Sequence, residues 1–332
     1  MRLVQLLGAG GARRVAAVED DRLLLLDGCA SVCELALEAI DSGTPIADVA
    51  ARKRSETALP YDAIYAGTDP EWRLLPAFDH PDEPARCLVS GTGLTHRRSA
   101  ANRQAMHAAA EQMTDSMRMY QSGLERGRPQ PGDVGVAPEW FYKGSGSSLR
   151  AHNEPLEVPD FAGDGGEEPE IAAAYIVDQQ GQPWRVGMMT GNEFSDHITE
   201  KENYLYLAAS KLRDCSVGPE LVLDPDFSAV KGRVTIEREG GTVWSRDLVS
   251  GEANMCHSLA NIEHHHFKFP AHRRPGDVHI HFFGADAFSF GEGVRLQDGD
   301  VMQVEWLGCG RPLRNPLRSL RGPEWLRTVK PI

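Results

Sequence analysis

Glu167-Glu168-Pro169-Glu170-Ile171-Ala172 is followed, after a hydrophobic stretch, by Gly191-Asn192-Glu193-Phe194-Ser195-Asp196-His197. On an extended strand, side chains two apart project from one face, so Glu168 and Glu170 can reach one ion while Pro169 points away. The next strand-like run brings Glu193 in. Clustered carboxylates repel and raise each other's pKa unless a cation sits among them. An all-oxygen set favours magnesium, manganese or calcium over zinc. Lys211, in Ser210-Lys211-Leu212-Arg213-Asp214, can supply a further positive charge. The competing reading is a solvated acidic turn, and Glu-x-Glu by itself does not separate the two.

The 332 residues suffice for one large domain and a small one. Hydrophobic and charged contents of 41% and 25% are those of a globular protein with a sizeable core. With 48 acidic and 35 basic residues the net charge is -13, which argues against nucleic acid or an anionic membrane as partner. No apolar run approaches the roughly 20 residues of a membrane helix. The apolar stretch in Met1-Arg2-Leu3-Val4-Gln5-Leu6-Leu7-Gly8 is too short for a secretion signal, so a cytoplasmic enzyme is expected. The six scattered cysteines form neither a disulfide framework nor a paired zinc knuckle.

Residues 1–75 read as a small α/β domain. Short apolar runs at Leu3–Leu7, Val15–Val18 and Leu23–Leu26 suggest a strand meander. Ser31 is placed to cap a helix through Leu35–Ile40, and a second helical piece is expected at 46–54. The Pro-, Asp- and aromatic-rich stretch 61–84 reads as a linker. A second domain, 84–332, begins with a strand at Cys87-Leu88-Val89-Ser90-Gly91, continues with one long helix over 99–125, and is mostly antiparallel β from 138 to 317.

Further segments fall in fixed order: Glu139-Trp140-Phe141-Tyr142-Lys143-Gly144, Glu168-Pro169-Glu170, Gly191-Asn192-Glu193, and Lys211-Leu212-Arg213-Asp214 leading to Gly218-Pro219. Pro275-Gly276-Asp277-Val278 and Gly299-Asp300-Val301-Met302-Gln303-Val304 follow. Together they resemble the fumarylacetoacetate hydrolase superfamily, whose signatures Phe-x-Lys, Glu-x-Glu, Asn-Asp, Lys-x-x-Asp, Gly-Pro and Pro-Gly-Asp-Val run in that order. The resemblance covers roughly residues 87–317. It implies an α+β, mostly β fold with a β-roll catalytic domain, a homodimer, and Mg2+ or Mn2+ held by Glu168, Glu170 and Glu193, with Lys211 as the active-site lysine. The family has aspartate where this chain has Glu193, so Asp196 is a reserve ligand.

Hydrolases of that superfamily carry a His-x-x-Glu pair that activates water. In Gly93-Leu94-Thr95-His96-Arg97-Arg98-Ser99-Ala100-Ala101-Asn102, Ser99 and Asn102 stand there instead, and neither serves as a base at neutral pH. The segment is closer to the 2-keto-3-deoxy sugar acid dehydratases. The expected function is therefore metal-dependent dehydration of a pentonate-type 2-keto-3-deoxy acid. The alternatives are C–C hydrolysis of an acylpyruvate, and a catalytically silent sugar-acid binding protein. His96 is a candidate base or a packing histidine. Lys143, Arg97, Arg98 and Ser99 are candidate substrate contacts. His264-His265-His266, His272, His279 and His281 offer a competing, cupin-like imidazole site. Against it, the triplet reads as a polar loop with no spaced glutamate after it, and a lesser role is that His265 or His281 lines the substrate pocket.

Overall fold

The computed structural model describes residues 1–107, 114–320 and 322–332. The chain opens with β1 (Arg2–Gly8), β2 (Arg13–Glu19) and β3 (Arg22–Leu26), then α1 (Val32–Ser42), α2 (Ile46–Arg52) and β4 (Arg54–Pro60). Ser31 caps α1 by accepting from the Glu34 amide at 3.1 Å, and Gly43 ends it at a φ of 61°. The expected linker is built into the fold instead. It contains α3 (Tyr61–Tyr65) and β5 (Trp72–Leu74), β5 pairs with β1, and Tyr61, Ala77 and Phe78 are buried. Its aromatic residues are packing groups, which the lack of periodicity concealed.

β6 (Cys87–Gly91) follows, and then two helices where one was expected, α4 (Arg97–His107) and α5 (Asp115–Arg126). Thr114 caps α5 by accepting from the Met117 amide at 3.3 Å, a start signal that a run of helix formers masked. The stretch 108–113 of the expected helix and the Asn102 side chain lie outside the described residues. The chain continues through β7 (Phe141–Ser145), β8 (Leu149–Arg150), β9 (Leu156–Val158), β10 (Pro169–Val177) and β11 (Pro183–Asn192). After α6 (His197–Glu202) and α7 (Leu207–Lys211) come β12 (Cys215–Val222), β13 (Val230–Arg238), β14 (Gly241–Ser250), α8 (Leu259–Phe267), β15 (Val278–Phe282), β16 (Val301–Trp306) and β17 (Leu313–Ser319). The histidine triplet, expected in a loop, lies in α8 under a Ser258 cap.

The large sheet runs β4-β3-β2-β1-β12-β11-β10-β15-β6-β7, so the N-terminal meander continues the sheet that holds β10 and β11. A smaller sheet, β14-β13-β16-β17-β9, covers part of it. Ile171, Ala173 and Tyr175 of β10 pack with Val234, Leu248, Val304 and Trp306 of that smaller sheet. Ala172, Ala174 and Ile176 face the opposite way, into the cluster with Val32, Leu35 and Ala36 of the α1 layer. Burial on both faces explains why β10 is apolar without alternation. It also makes the strand a rigid base for the two glutamates at its start.

Candidate metal centre

β10 and β11 pair with Pro169 opposite Asn192 and Glu170 opposite Gly191. One step further, the Glu193 amide donates to the Glu168 carbonyl at 2.9 Å, so Glu168 and Glu193 face each other across the hairpin. Asn192 holds this end together, its Oδ1 accepting from the Glu168 amide at 3.3 Å and the Phe194 amide at 3.2 Å. The buried Phe194 adopts a φ of 35°, a conformation rare for a bulky side chain and one that turns the chain immediately after Glu193. Glycine opposite Glu170 is required, because a Cβ at Gly191 would press on the Phe282 ring at 2.5 Å. The Trp306 indole donates to the Glu170 carbonyl at 3.0 Å and anchors that strand end from the smaller sheet.

The three carboxylates are buried, and each offers an oxygen within 4.8 Å of the others. Two lysines face them. Lys211 Nζ donates to Glu168 Oε1 at 2.5 Å and to Glu193 Oε2 at 2.6 Å, above the Phe141 ring. Lys143 Nζ lies 2.9 Å from Glu193 Oε1 and donates to the Phe194 carbonyl. Ser195 Oγ adds a bond to Glu193 Oε2 at 2.8 Å. Glu170 is held from the backbone, with the Lys211 charge acting on it more weakly than burial and the other two glutamates. Its Oε2 accepts from the Gly284 amide at 2.6 Å.

The charge balance follows from these contacts. Burial opposes ionisation of Glu168, but the Lys211 charge and His197 outweigh it and hold its pKa well below the ordinary value. Burial, then the charges of Glu193 and Glu168, push Glu170 well above it. Burial also raises Glu193 despite both lysines, and lowers Lys143. With all three carboxylates ionised and His197 neutral, two ammonium groups leave one negative charge uncompensated beside an all-oxygen donor set. A hard divalent cation fits that donor set and that charge.

The reserve ligand Asp196 is committed elsewhere. It caps α6 through the Thr199 amide at 2.9 Å, accepts from the Gly163 amide at 2.9 Å and pairs with Arg213 at 3.1 Å. Ser99 lines the cleft over the carboxylates together with Gly93, Leu94, Gly284, Ala285 and Phe288. Arg97 and Arg98 are exposed, and Arg98 pairs with Asp286 at 3.1 Å. Lys143 sits behind Glu193 and is fully buried, so it is neither in the cleft wall nor a surface lysine. His96 is buried outside the cleft lining, its Nδ1 2.9 Å from Thr95 Oγ1, and burial lowers its pKa to about 3.

The imidazoles form a packed network rather than a ligand set. His281 is bonded through Nδ1 to Ser90 Oγ at 2.9 Å and through Nε2 to Thr92 Oγ1 at 2.7 Å. The Trp140 indole donates to His266 Nδ1 at 3.2 Å, which leaves His266 Nε2–H to donate to His279 Nδ1 at 3.0 Å. Neither His265 nor His281 lines the cleft.

Two titratable cleft residues had drawn no assignment from sequence, His197 and Glu200. His197 Nε2 is 3.1 Å from Glu168 Oε1. Burial disfavours its charged form, but the hydrogen bond and charge of Glu168 outweigh that and raise its pKa. Both follow Glu193 within one turn of α6, so the capped helix start at Asp196 was the available signal.

No family model matches the chain. A probable 2-keto-3-deoxyxylonate dehydratase from Haloferax volcanii is 30% identical over 178 residues, which span 52% of this chain and 58% of that protein. The fold matches 2-keto-3-deoxy-D-arabinonate dehydratase in its apo form with a TM-score of 0.72 at 18% identity, over 97% of this chain and 100% of that one. The same enzyme complexed with magnesium and 2,5-dioxopentanoate gives 0.71 at 18% identity and the same coverage. A 5-carboxymethyl-2-hydroxymuconate delta-isomerase from Mycobacterium smegmatis gives 0.59 at 16% identity, over 96% of this chain and 100% of that one.

Proposed function

We propose that this chain, which has the fold of the fumarylacetoacetate hydrolase superfamily, dehydrates a pentonate-type 2-keto-3-deoxy sugar acid. The observation that carries the reading is the cluster itself, three buried carboxylates that each offer an oxygen within 4.8 Å of the others, with Glu170 held by a backbone amide. Glu168, Glu170 and Glu193 would hold Mg2+ or Mn2+. A cation there supplies Lewis acidity to a 2-keto carboxylate, acidifying the C3 hydrogen by stabilising the enolate.

The protein groups divide the remaining work. Lys211 keeps a positive charge between Glu168 and Glu193 at the cleft edge, where an enolate oxygen develops charge, an effect worth several kcal/mol. The C3 proton and the C4 hydroxyl leave together as water, and a C5 proton must then be removed and C3 protonated to give the aldehyde of 2,5-dioxopentanoate, so the cleft needs one group that accepts a proton and one that delivers it. Lys211 and Glu200 are the titratable side chains of the cleft wall outside the carboxylate triad and its His197 partner. Ser99 Oγ, 3.1 Å from the His96 carbonyl, provides a hydroxyl for the sugar chain. Water attack on an acylpyruvate needs a base where Ser99 stands, and this favours dehydration over hydrolysis. The two neighbours named as sugar acid dehydratases support the same choice, as does the product-like 2,5-dioxopentanoate bound by one of them. We extend the proposal to a homodimer.

Purified protein incubated with Mg2+ and 2-keto-3-deoxypentonates should form 2,5-dioxopentanoate. Release of pyruvate from an acylpyruvate in place of that product would transfer the chain to the hydrolases. Binding without turnover would make it a silent sugar-acid receptor.

A further inference from the structure

We propose that His197 is a positioning residue that sets the Glu168 carboxylate for the cation and ties the metal centre to the 284–290 segment of the cleft wall. The inference rests on the metal reading above and concerns a residue to which that reading gives no task. Two donors to Glu168, Lys211 at 2.5 Å and His197 at 3.1 Å, converge on its Oε1. The carboxylate is therefore fixed through one defined oxygen by a lysine and an imidazole from two different elements.

What turns the imidazole is an aromatic clamp. Phe288 lies parallel to the ring, with centroids 4.8 Å apart and 2° between the planes; Phe290 stacks at 5.0 Å and 29°. Between these two residues, Ser289 fastens the segment to the neighbouring glutamate, its amide bonding Glu167 Oε1 at 2.6 Å and its hydroxyl Glu167 Oε2 at 2.8 Å. The same segment begins at Gly284, whose amide holds Glu170. Glycine is needed there, since φ is +93° and a Cβ would collide with Thr95 Oγ1. Thus Glu167, Glu168 through His197, and Glu170 are all gripped by one stretch that also lines the cleft with Gly284, Ala285 and Phe288.

The unmet half of the imidazole separates positioning from packing. His197 Nδ1 is buried without a hydrogen-bond partner among the described residues. Leaving such an atom unpaired costs on the order of 1–3 kcal/mol, so a phenylalanine would fill the slot between two phenylalanines with less penalty. Among the described residues, the Nε2–H hydrogen bond to Glu168 is the directed contact that distinguishes histidine there.

The test is Mn2+ titration of the metal-stripped protein by calorimetry, paired with thermal unfolding without metal. His197→Phe should unfold at or above the wild-type temperature yet bind Mn2+ about 10–100-fold more weakly, as for other residues that orient a metal ligand. His197→Gln, which returns an N–H donor, should recover part of the loss. Wild-type Mn2+ affinity in His197→Phe would overturn the positioning role and leave the metal reading intact. Failure of the wild type itself to bind Mn2+ would remove both. If His197→Phe does not fold, Ser289→Ala carries the test: weaker Mn2+ binding supports the coupling, and unchanged binding overturns it.

Discussion

Once ionised, Glu170 carries the charge that the two lysines leave over, and its substitution separates the metal centre from the fold. In Glu170→Gln the amide can still accept from Gly284, and the metal-free protein should be at least as stable as the wild type, because a buried carboxylate between two others is removed. Saturating Mn2+ at a hundred times its dissociation constant should stabilise the wild type by about 2.7 kcal/mol and the variant by nearly nothing. Thermal unfolding with and without chelator reads both effects, and equal stabilisation of the two proteins would remove Glu170 from the site. Asp196 gives the opposite pattern. Asp196→Asn should lose on the order of 3 kcal/mol, since the buried Arg213 guanidinium keeps its charge without its partner, while Mn2+ affinity stays unchanged. Denaturant unfolding paired with Mn2+ titration checks it. The gathering of Glu168, Glu170 and Glu193 was legible because strand alternation and a hairpin are short-range rules. Lys143 was not, because its place behind Glu193 depends on how β7 crosses the sheet, and a lysine among aromatic residues reads equally well as a surface group.

At the scale of elements, the packing of α8 on β15 buries three imidazoles with depressed pKa values. Burial, then the charges of His279 and His272, hold His281 down to about 3; burial and His272 hold His279 at about 4; burial lowers His266 well below its usual value. The unfolded chain takes up protons on these groups below about pH 6.5 while the folded chain does not, so stability is full above that pH and declines as pH falls toward 4. Each such histidine contributes a slope of about 1.4 kcal/mol per pH unit across that window. His281→Gln should remove one proton's worth of slope, so urea midpoints at pH 6.5, 5.5 and 4.5 should fall less steeply than in the wild type. Parallel declines would place the acid sensitivity elsewhere. The strand face shared by His279 and His281 was legible from their spacing. The helix that covers them was not, because three consecutive histidines carry no 3.6-residue pattern, and the Ser258 cap stands six residues before the first.

For the whole molecule, the question is how the N-terminal meander and the metal-bearing hairpin depend on each other. The reading of residues 1–75 as a domain of their own rests on strand patterns within that stretch, and local patterns carry no information on which strand the meander will meet. In the folded chain β1 pairs with β12, and β12 in turn pairs with β11, which leads directly into Glu193. Glu220 of β12 sits at that junction with its side chain fully buried. It accepts from Arg2 at 2.7 Å, from the Tyr61 hydroxyl at 2.9 Å and from the Arg311 amide at 3.0 Å, so three distant stretches close on one carboxylate. Removing it strands the Tyr61 hydroxyl and the Arg311 amide, at on the order of 1–3 kcal/mol each, whereas Arg2 is exposed enough to return to water. Glu220→Ala should therefore lose about 3 kcal/mol, and because the sheet is continuous the loss should shift one cooperative transition rather than release the first 75 residues separately. Fluorescence and far-UV circular dichroism melts should stay superimposed in this variant. Two separated transitions, with Mn2+ binding surviving the first, would instead make the meander an independent unit and the junction a docking contact between domains.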